Sequence, residues 1–289
     1  VAPTFTETYM FIYCADAYCL AFLLSTLSVY FLNKSNRGKQ YYIFSNICTI
    51  AVCSLYQAYL GVILGETIIL LMKDLLKEKD IKANFIKAIK FFINIFIGIL
   101  MYYILLKIII SILDISLASY KGANNLGIYT LKSLPHTIVQ TYKDFINFFF
   151  TDKIINNSYW NREIINGTIF FTSFLGLFLI LIKSKQKNKC IRVLFLGVLI
   201  LLYPIGIAIM DIIAPNTSLN LVTGPGLITA VILITLIYES MDDKSLENIL
   251  RYIFLILMII LIFTFVLENT FTYVARNQTF RNYYTISMD

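Results

Sequence analysis

The sequence predicts an all-α protein, a polytopic bundle of transmembrane helices. Of its 289 residues 58% are hydrophobic and only 14% charged, and the mean hydropathy is +0.76. Soluble domains are about 45–50% apolar and about a quarter charged, so this balance excludes a water-soluble enzyme and a disordered chain alike. Apolar runs near the length needed to cross a bilayer recur along the chain, and lysines and arginines fall between them. The net charge of +7 therefore reads as a topology signal. Nucleic acid is not an expected partner, since its recognition needs basic residues clustered on a polar surface.

The runs cover 9–32, 42–72, 88–110, 166–182, 193–213, 221–238 and 252–268. At 1.5 Å per residue the second is about 46 Å long, too much for one crossing of about 30 Å. Both its flanks are basic, with Lys34, Arg37 and Lys39 before it and Lys73, Lys77, Lys79 and Lys82 after it. If both flanks are cytoplasmic the run crosses an even number of times, which predicts a short hairpin turning near Tyr56 and Gln57. Each arm holds about 15 residues, or 22 Å, so the hairpin is re-entrant or the membrane is locally thin. The next basic loop, Lys183 to Arg192, and then Lys244 and Arg251, also fall inside. The expectation is about eight membrane-inserted helices in a single transmembrane domain over 1–289, with both ends outside.

One large outer loop, 111–165, separates the two halves. Within it Leu131, Leu134, Ile138, Tyr142, Phe145 and Phe149 recur at helical spacing, with Lys143, Asp144 and Asn147 opposite. This predicts an amphipathic helix at about 131–150, lying flat on the membrane or packed on the bundle as a lid. Pro204 with Gly206, and Gly224, Pro225 and Gly226, are expected to kink or break two later spans. Gly61 and Gly65 form a G-x-x-x-G pair that lets another helix approach closely.

Carboxylates inside a membrane are costly, so each is a candidate site or a structural hydrogen-bond partner of a neighbouring helix. Asp16 and Glu66 are the foremost, Asp211 and Glu268 lie near span ends, and Lys107 is the cation that looks buried. The five cysteines form no CxxC pair or Cys/His cluster, and Cys14, Cys19, Cys48 and Cys53 read as small core residues. With His136 as the single histidine, no metal site and no Ser-His-Asp set is expected. No glycine-rich nucleotide motif occurs, and no cofactor is expected.

The segment Tyr13-Cys14-Ala15-Asp16-Ala17-Tyr18, followed by Leu20 to Leu32, resembles the start of bacterial integral-membrane glucosyltransferases of the Gtr type II kind. Ser54-Leu55-Tyr56-Gln57-Ala58-Tyr59-Leu60-Gly61 is similar to that family's S-x-Y-Q-A-Y hairpin signature. Ser119 to Gly122 and Asn125 to Gly127 look like the opening of its large outer loop. The likeness covers most of 9–150.

The resemblance implies a GT-C-like fold and a glycosyltransferase. Such an enzyme passes a sugar, glucose in this family, from a polyprenyl-phosphate-sugar donor to a cell-surface polysaccharide acceptor outside the cytoplasm. It implies Asp16 as the catalytic candidate and Tyr18, Tyr56, Gln57, Tyr59, Glu66, Lys121 and Arg276 as substrate-binding candidates. Arg281 and Arg162 are further outer cations. The family also carries an earlier membrane helix and an acidic outer loop ahead of the segment matching Tyr9, so the chain is expected either to be N-terminally incomplete, with its catalytic base upstream of Val1, or to be a member that has lost its catalytic loop. Two other readings stay open: a transporter or flippase of lipid-linked sugars, and a non-catalytic subunit of a polysaccharide assembly complex.

Overall fold

The computed structural model describes residues 14–76, 80–114, 134–150, 188–213 and 225–239. It also describes 167, 170–171, 173–177 and helical positions scattered from 252 to 278. Among these, every regular element is helical. Helix α1 is Ala15–Lys34, and a 3-10 turn at Ser35–Arg37 leads to α2, Gln40–Tyr56. A second 3-10 turn, Gln57–Tyr59, joins it to α3, Leu60–Leu76, and α4 is Ile81–Leu113. Helix α5 is Leu134–Phe150, α6 is Lys189–Ile207, α7 is Ile209–Ile213, and a 3-10 turn at Pro225–Ile228 opens α8, Thr229–Glu239.

Four described helical stretches are long and apolar enough to cross a membrane: Ala15–Arg37, Gln40–Leu76, Ile81–Leu113 and Lys189–Ile207. The expectation was about eight inserted helices. Part of the difference is the hairpin, whose two arms make one continuous apolar stretch. Runs 166–182 and 252–268 lie largely outside the described residues, and 221–238 yields the short α8.

The reversal at the Gln57 turn follows from what each arm touches. Ser28 of α1 bonds Ser45 and Thr49 of α2 at 3.0 Å each, while Tyr18 meets Tyr56, so α1 and α2 run antiparallel. Tyr59 lies against Phe22, Glu66 accepts from Thr26, and Asp74 and Asn33 share Lys87. Helix α3 thus runs parallel to α1 and back along the path of α2. The chain can reverse because Tyr56 leaves the helical region, at φ −162° and ψ 110°. Each arm is 17 residues, about 25 Å, close to the expected length.

The described basic flanks gather at one end of this bundle, here the basic end. It holds Lys34, Arg37, Lys39, Lys73, Lys82, Lys87 and the start of α6, whose Arg192 donates from Nη1 to Leu75 O at 3.0 Å. Asp80 caps α4 there by accepting from Lys82 N at 3.2 Å. Lys87 Nζ pairs with Asp74 Oδ2 at 2.7 Å and donates to Asn33 Oδ1 at 3.1 Å, tying α1, α3 and α4 together.

The core sits mainly on α3, where Leu60, Val62, Ile63, Ile68, Leu71, Met72 and Leu75 are fully enclosed by α1, α6 and α8. Small residues make this possible. A Cβ on Gly61 would strike the Ile207 carbonyl, and one on Gly226 would come within 2.8 Å of Gly61 C. The pairing of Gly61 and Gly65 with another helix is therefore realised against α6 and the Pro225 turn. Pro204 is held inside α6, which ends at Ile207 and restarts at Ile209.

Helix α5 packs against α6 and α7. Its buried line is Thr137, Thr141 and Phe145 rather than the leucine and isoleucine stripe, with Leu134 exposed and Ile138 half-buried. Thr141 Oγ1 donates to Thr137 O at 3.0 Å, so the hydroxyl is satisfied within the helix and the small face can approach α6 and α7. Phe145 meets Phe170 edge-on at 5.7 Å, and the Tyr142 hydroxyl donates to Leu201 O. His136 is exposed.

Candidate active site

At the end opposite the basic one, four elements converge on the Gln57–Tyr59 turn. Helix α1 brings Asp16, Tyr18 and Phe22, the turn itself brings Tyr56, Gln57 and Tyr59, and α4 passes alongside at Tyr102. The Pro225 turn closes the back through Gly226. We refer to this as the hairpin end.

Three tyrosines form its floor. The ring centroids of Tyr18 and Tyr56 are 5.0 Å apart, those of Tyr56 and Tyr59 are 6.1 Å, and those of Tyr18 and Tyr59 are 6.4 Å. Phe22 abuts Tyr59 edge-on at 6.4 Å. Tyr59 is buried, while Tyr18 and Tyr56 are half-buried, so the floor is firm beneath and reachable above. Ser25 fixes it from below: its hydroxyl reaches Tyr59 O at 3.3 Å while bonding Ala21 O at 2.8 Å.

Asp16 lies in the first turn of α1, two residues before Tyr18, and is exposed. Its Oδ1 accepts from Ala17 N at 2.9 Å, and its other carboxylate oxygen has no partner among the described residues. The first turn of a helix favours a carboxylate there through the unpaired N–H groups. Gln57 donates from Nε2 to the Tyr102 hydroxyl at 2.6 Å.

Of the residues expected from sequence, Tyr18, Tyr56, Gln57 and Tyr59 are brought together, while Asp16 lies exposed at the same end of α1 but, two residues from Tyr18, on a different face of the helix. Glu66 is not among them. It sits seven residues down α3 from Tyr59, about 10 Å along the axis, half-buried and accepting from Thr26 Oγ1 at 3.0 Å. Lys121, Arg276, Arg281, Arg162 and Glu268 lie outside the described residues, as does the Asp211 side chain. Lys107 is exposed, contrary to its buried appearance in the sequence, and lies 5.4 Å from the Tyr103 ring centre. Cys48 and Cys53 are buried as expected, whereas Cys19 is exposed and Cys14 half-buried.

Tyr102 is the residue that sequence reasoning missed. A signal for it exists: Asn94, Gly98 and Tyr102 recur every four residues inside an apolar run, marking one polar or small face. That face is the one turned to α2. Asn94 Nδ2 donates to Ser45 Oγ at 3.3 Å, and a Cβ on Gly98 would come within 3.0 Å of Thr49.

A hydroxyl-rich ligand fits this floor chemically. Aromatic rings stack on the C–H faces of sugars, a carboxamide matches hydroxyl pairs, and a free carboxylate oxygen can accept a proton. In comparisons with known proteins, the family model described as "Glucosyl transferase GtrII" matches residues 1–228. No curated protein and no solved structure matches the chain.

Proposed function

Because the chain belongs to the GtrII glucosyl transferase family, we propose that it is a multi-pass membrane glycosyltransferase of GT-C-like fold whose transfer site is the hairpin end. The donor is a polyprenyl-phosphate-linked sugar, glucose in this reading, and the acceptor is a cell-surface polysaccharide. The observation that carries the reading is the gathering of three tyrosines and Gln57 around one turn, with Asp16 exposed at the same end of α1.

Orientation is argued from charge. Basic flanks stay in the cytoplasm, and the basic end holds them together, so the hairpin end faces outside. There the sugar ring rests on Tyr18 and Tyr56, with Tyr59 beneath, and Gln57 bonds its hydroxyls. The free oxygen of Asp16 takes the proton of the acceptor hydroxyl as that oxygen bonds to the anomeric carbon. The bond from that carbon to the donor phosphate breaks, and the phosphate leaves with the electron pair. Lys121 and Arg276 are the cations proposed to neutralise the departing charge. Glu66, about 10 Å deeper, lies beyond a single ring resting on the tyrosines; as a substrate contact it serves a longer or deeper-seated ligand.

Membranes carrying the protein are expected to transfer sugar from a polyprenyl-phosphate-glucose donor to polysaccharide. Asp16→Asn should lower the rate by about 10²–10⁴-fold, the usual contribution of a general base. Full transfer by both Asp16→Asn and Gln57→Ala would remove the hairpin end as the site.

A further inference from the structure

We propose that Tyr102 is a positioning residue: through its hydroxyl, α4 pins the hairpin turn and sets the direction in which Gln57 presents its carboxamide. The inference rests on the hairpin end being the transfer site. A glutamine side chain has three rotatable bonds, so a lone Gln57 would sample many directions. The 2.6 Å bond from its Nε2 to the Tyr102 hydroxyl removes that freedom. One end of the carboxamide is thereby occupied, and Oε1 has no partner among the described residues, which leaves it to meet a substrate hydroxyl.

The anchor is itself well placed. Two turns below, Asn94 bonds Ser45, and one turn below, Gly98 lies tight against Thr49, so the register of α4 on α2 is fixed before Tyr102 is reached. The turn has few other holds on this side. Ser25 grips the Tyr59 carbonyl from α1, and Gly61 rests on the Ile207 carbonyl and Gly226, but the Tyr102 bond is the hold from α4 on Gln57 itself. Tyr102 acts through Gln57, and no proton or bond of the reaction passes through it.

Tyr102→Phe keeps the ring and deletes the hydroxyl. It is expected to lower kcat about five- to tenfold with KM changed less than twofold, and to add nothing in a Gln57→Ala background. Tyr103→Phe, on the same helix but exposed, should match wild type. Additive losses in the double variant, or undiminished transfer by Tyr102→Phe, would overturn the proposal. A second readout needs no sugar transfer. Cys53 is 2% exposed, one helical turn before Gln57, and Cys48 is 8% exposed further along α2. If Tyr102 pins the turn, its Phe variant should speed maleimide labelling of Cys53 in detergent severalfold and leave Cys48 unchanged. An unchanged Cys53 rate overturns the pinning even in a preparation that transfers no sugar, whereas absent transfer with a faster Cys53 rate overturns only the assigned reaction.

Discussion

Replacing Lys87 by methionine tests how this fold holds its basic end. Lys87 Nζ lies 2.7 Å from Asp74 Oδ2, and the two side chains are only 12% and 6% exposed. At an effective dielectric constant of about 20 and that separation, the attraction is about 6 kcal/mol. Much of this offsets the cost of taking both charges out of water, so the net worth of the pair is small. Removing one partner is different, because Asp74 stays enclosed without the Lys87 ammonium; such losses run about 3–5 kcal/mol. Methionine keeps most of the stem packed over Phe91 while losing the ammonium that sits 4.9 Å from that ring. Asn33 also loses its donor. The expected destabilisation is therefore about 4 kcal/mol, close to a thousandfold in the folded-to-unfolded ratio. Thermal unfolding of the detergent-solubilised protein, followed by circular dichroism, measures it. Adding Asp74→Leu should recover most of the loss, since apolar replacement of a whole buried pair is often neutral. A single variant within about 1 kcal/mol of wild type, or a double variant worse than the single, would refute the reasoning.

Gly226→Ala should destabilise by about 1–3 kcal/mol, because its Cβ would press on the Ile207 and Gly61 backbones and cannot swing aside; unchanged unfolding would mean these segments separate freely. Thr26→Val removes the hydroxyl that Glu66 accepts from and should cost about 1–3 kcal/mol, with Glu66→Gln restoring part of it; an unaffected single variant would show the contact to be idle. On α5, burial holds the Asp144 carboxyl above its usual value, against opposing help from Gln140 and Lys143. A raised folded pKa means that the folded state binds the proton more tightly, so stability is highest below the unfolded value near 3.9 and falls as pH rises through the folded one. Asp144→Asn should flatten that acid-side slope, and a slope identical to wild type would assign it to other groups.

Much of this architecture was legible in the sequence because lipid imposes a simple rule on polar atoms. The lysines bracketing 42–72 pointed to a reversal within that run, and the chain does reverse at Tyr56. Pro204 is carried inside α6, which ends three residues later at Ile207, and Pro225 opens the 3-10 turn that leads into α8. What periodicity could not supply was partner identity. Asp74 and Lys87 are 13 residues apart with the α3–α4 connection between them, and only packing shows that they meet. The amphipathic stripe of α5 was placed correctly along the chain but only partly around the helix: Phe145 is buried as expected, whereas Thr137 and Thr141, the latter bonding the Thr137 carbonyl, pass for polar surface. At the hairpin end, the Tyr-Gln-Ala-Tyr segment was readable, whereas Tyr102 was hidden among apolar neighbours and surfaced only through its four-residue spacing from Gly98 and Asn94.

The hydroxyl seam between α1 and α2 bears on how the chain is made. Ser28, Ser45 and Thr49 satisfy one another, and Thr49 also bonds the Ser45 carbonyl at 3.0 Å. Only five residues, 35–39, separate the two helices. A nascent chain can therefore release α1 and α2 into lipid with the Ser28, Ser45 and Thr49 hydroxyls already paired. Asn94 emerges later, in α4, and finds the Ser45 hydroxyl already presented. The order in which the ribosome delivers these polar groups is thus the order in which each one acquires a mate, so insertion can proceed step by step without waiting for the whole bundle.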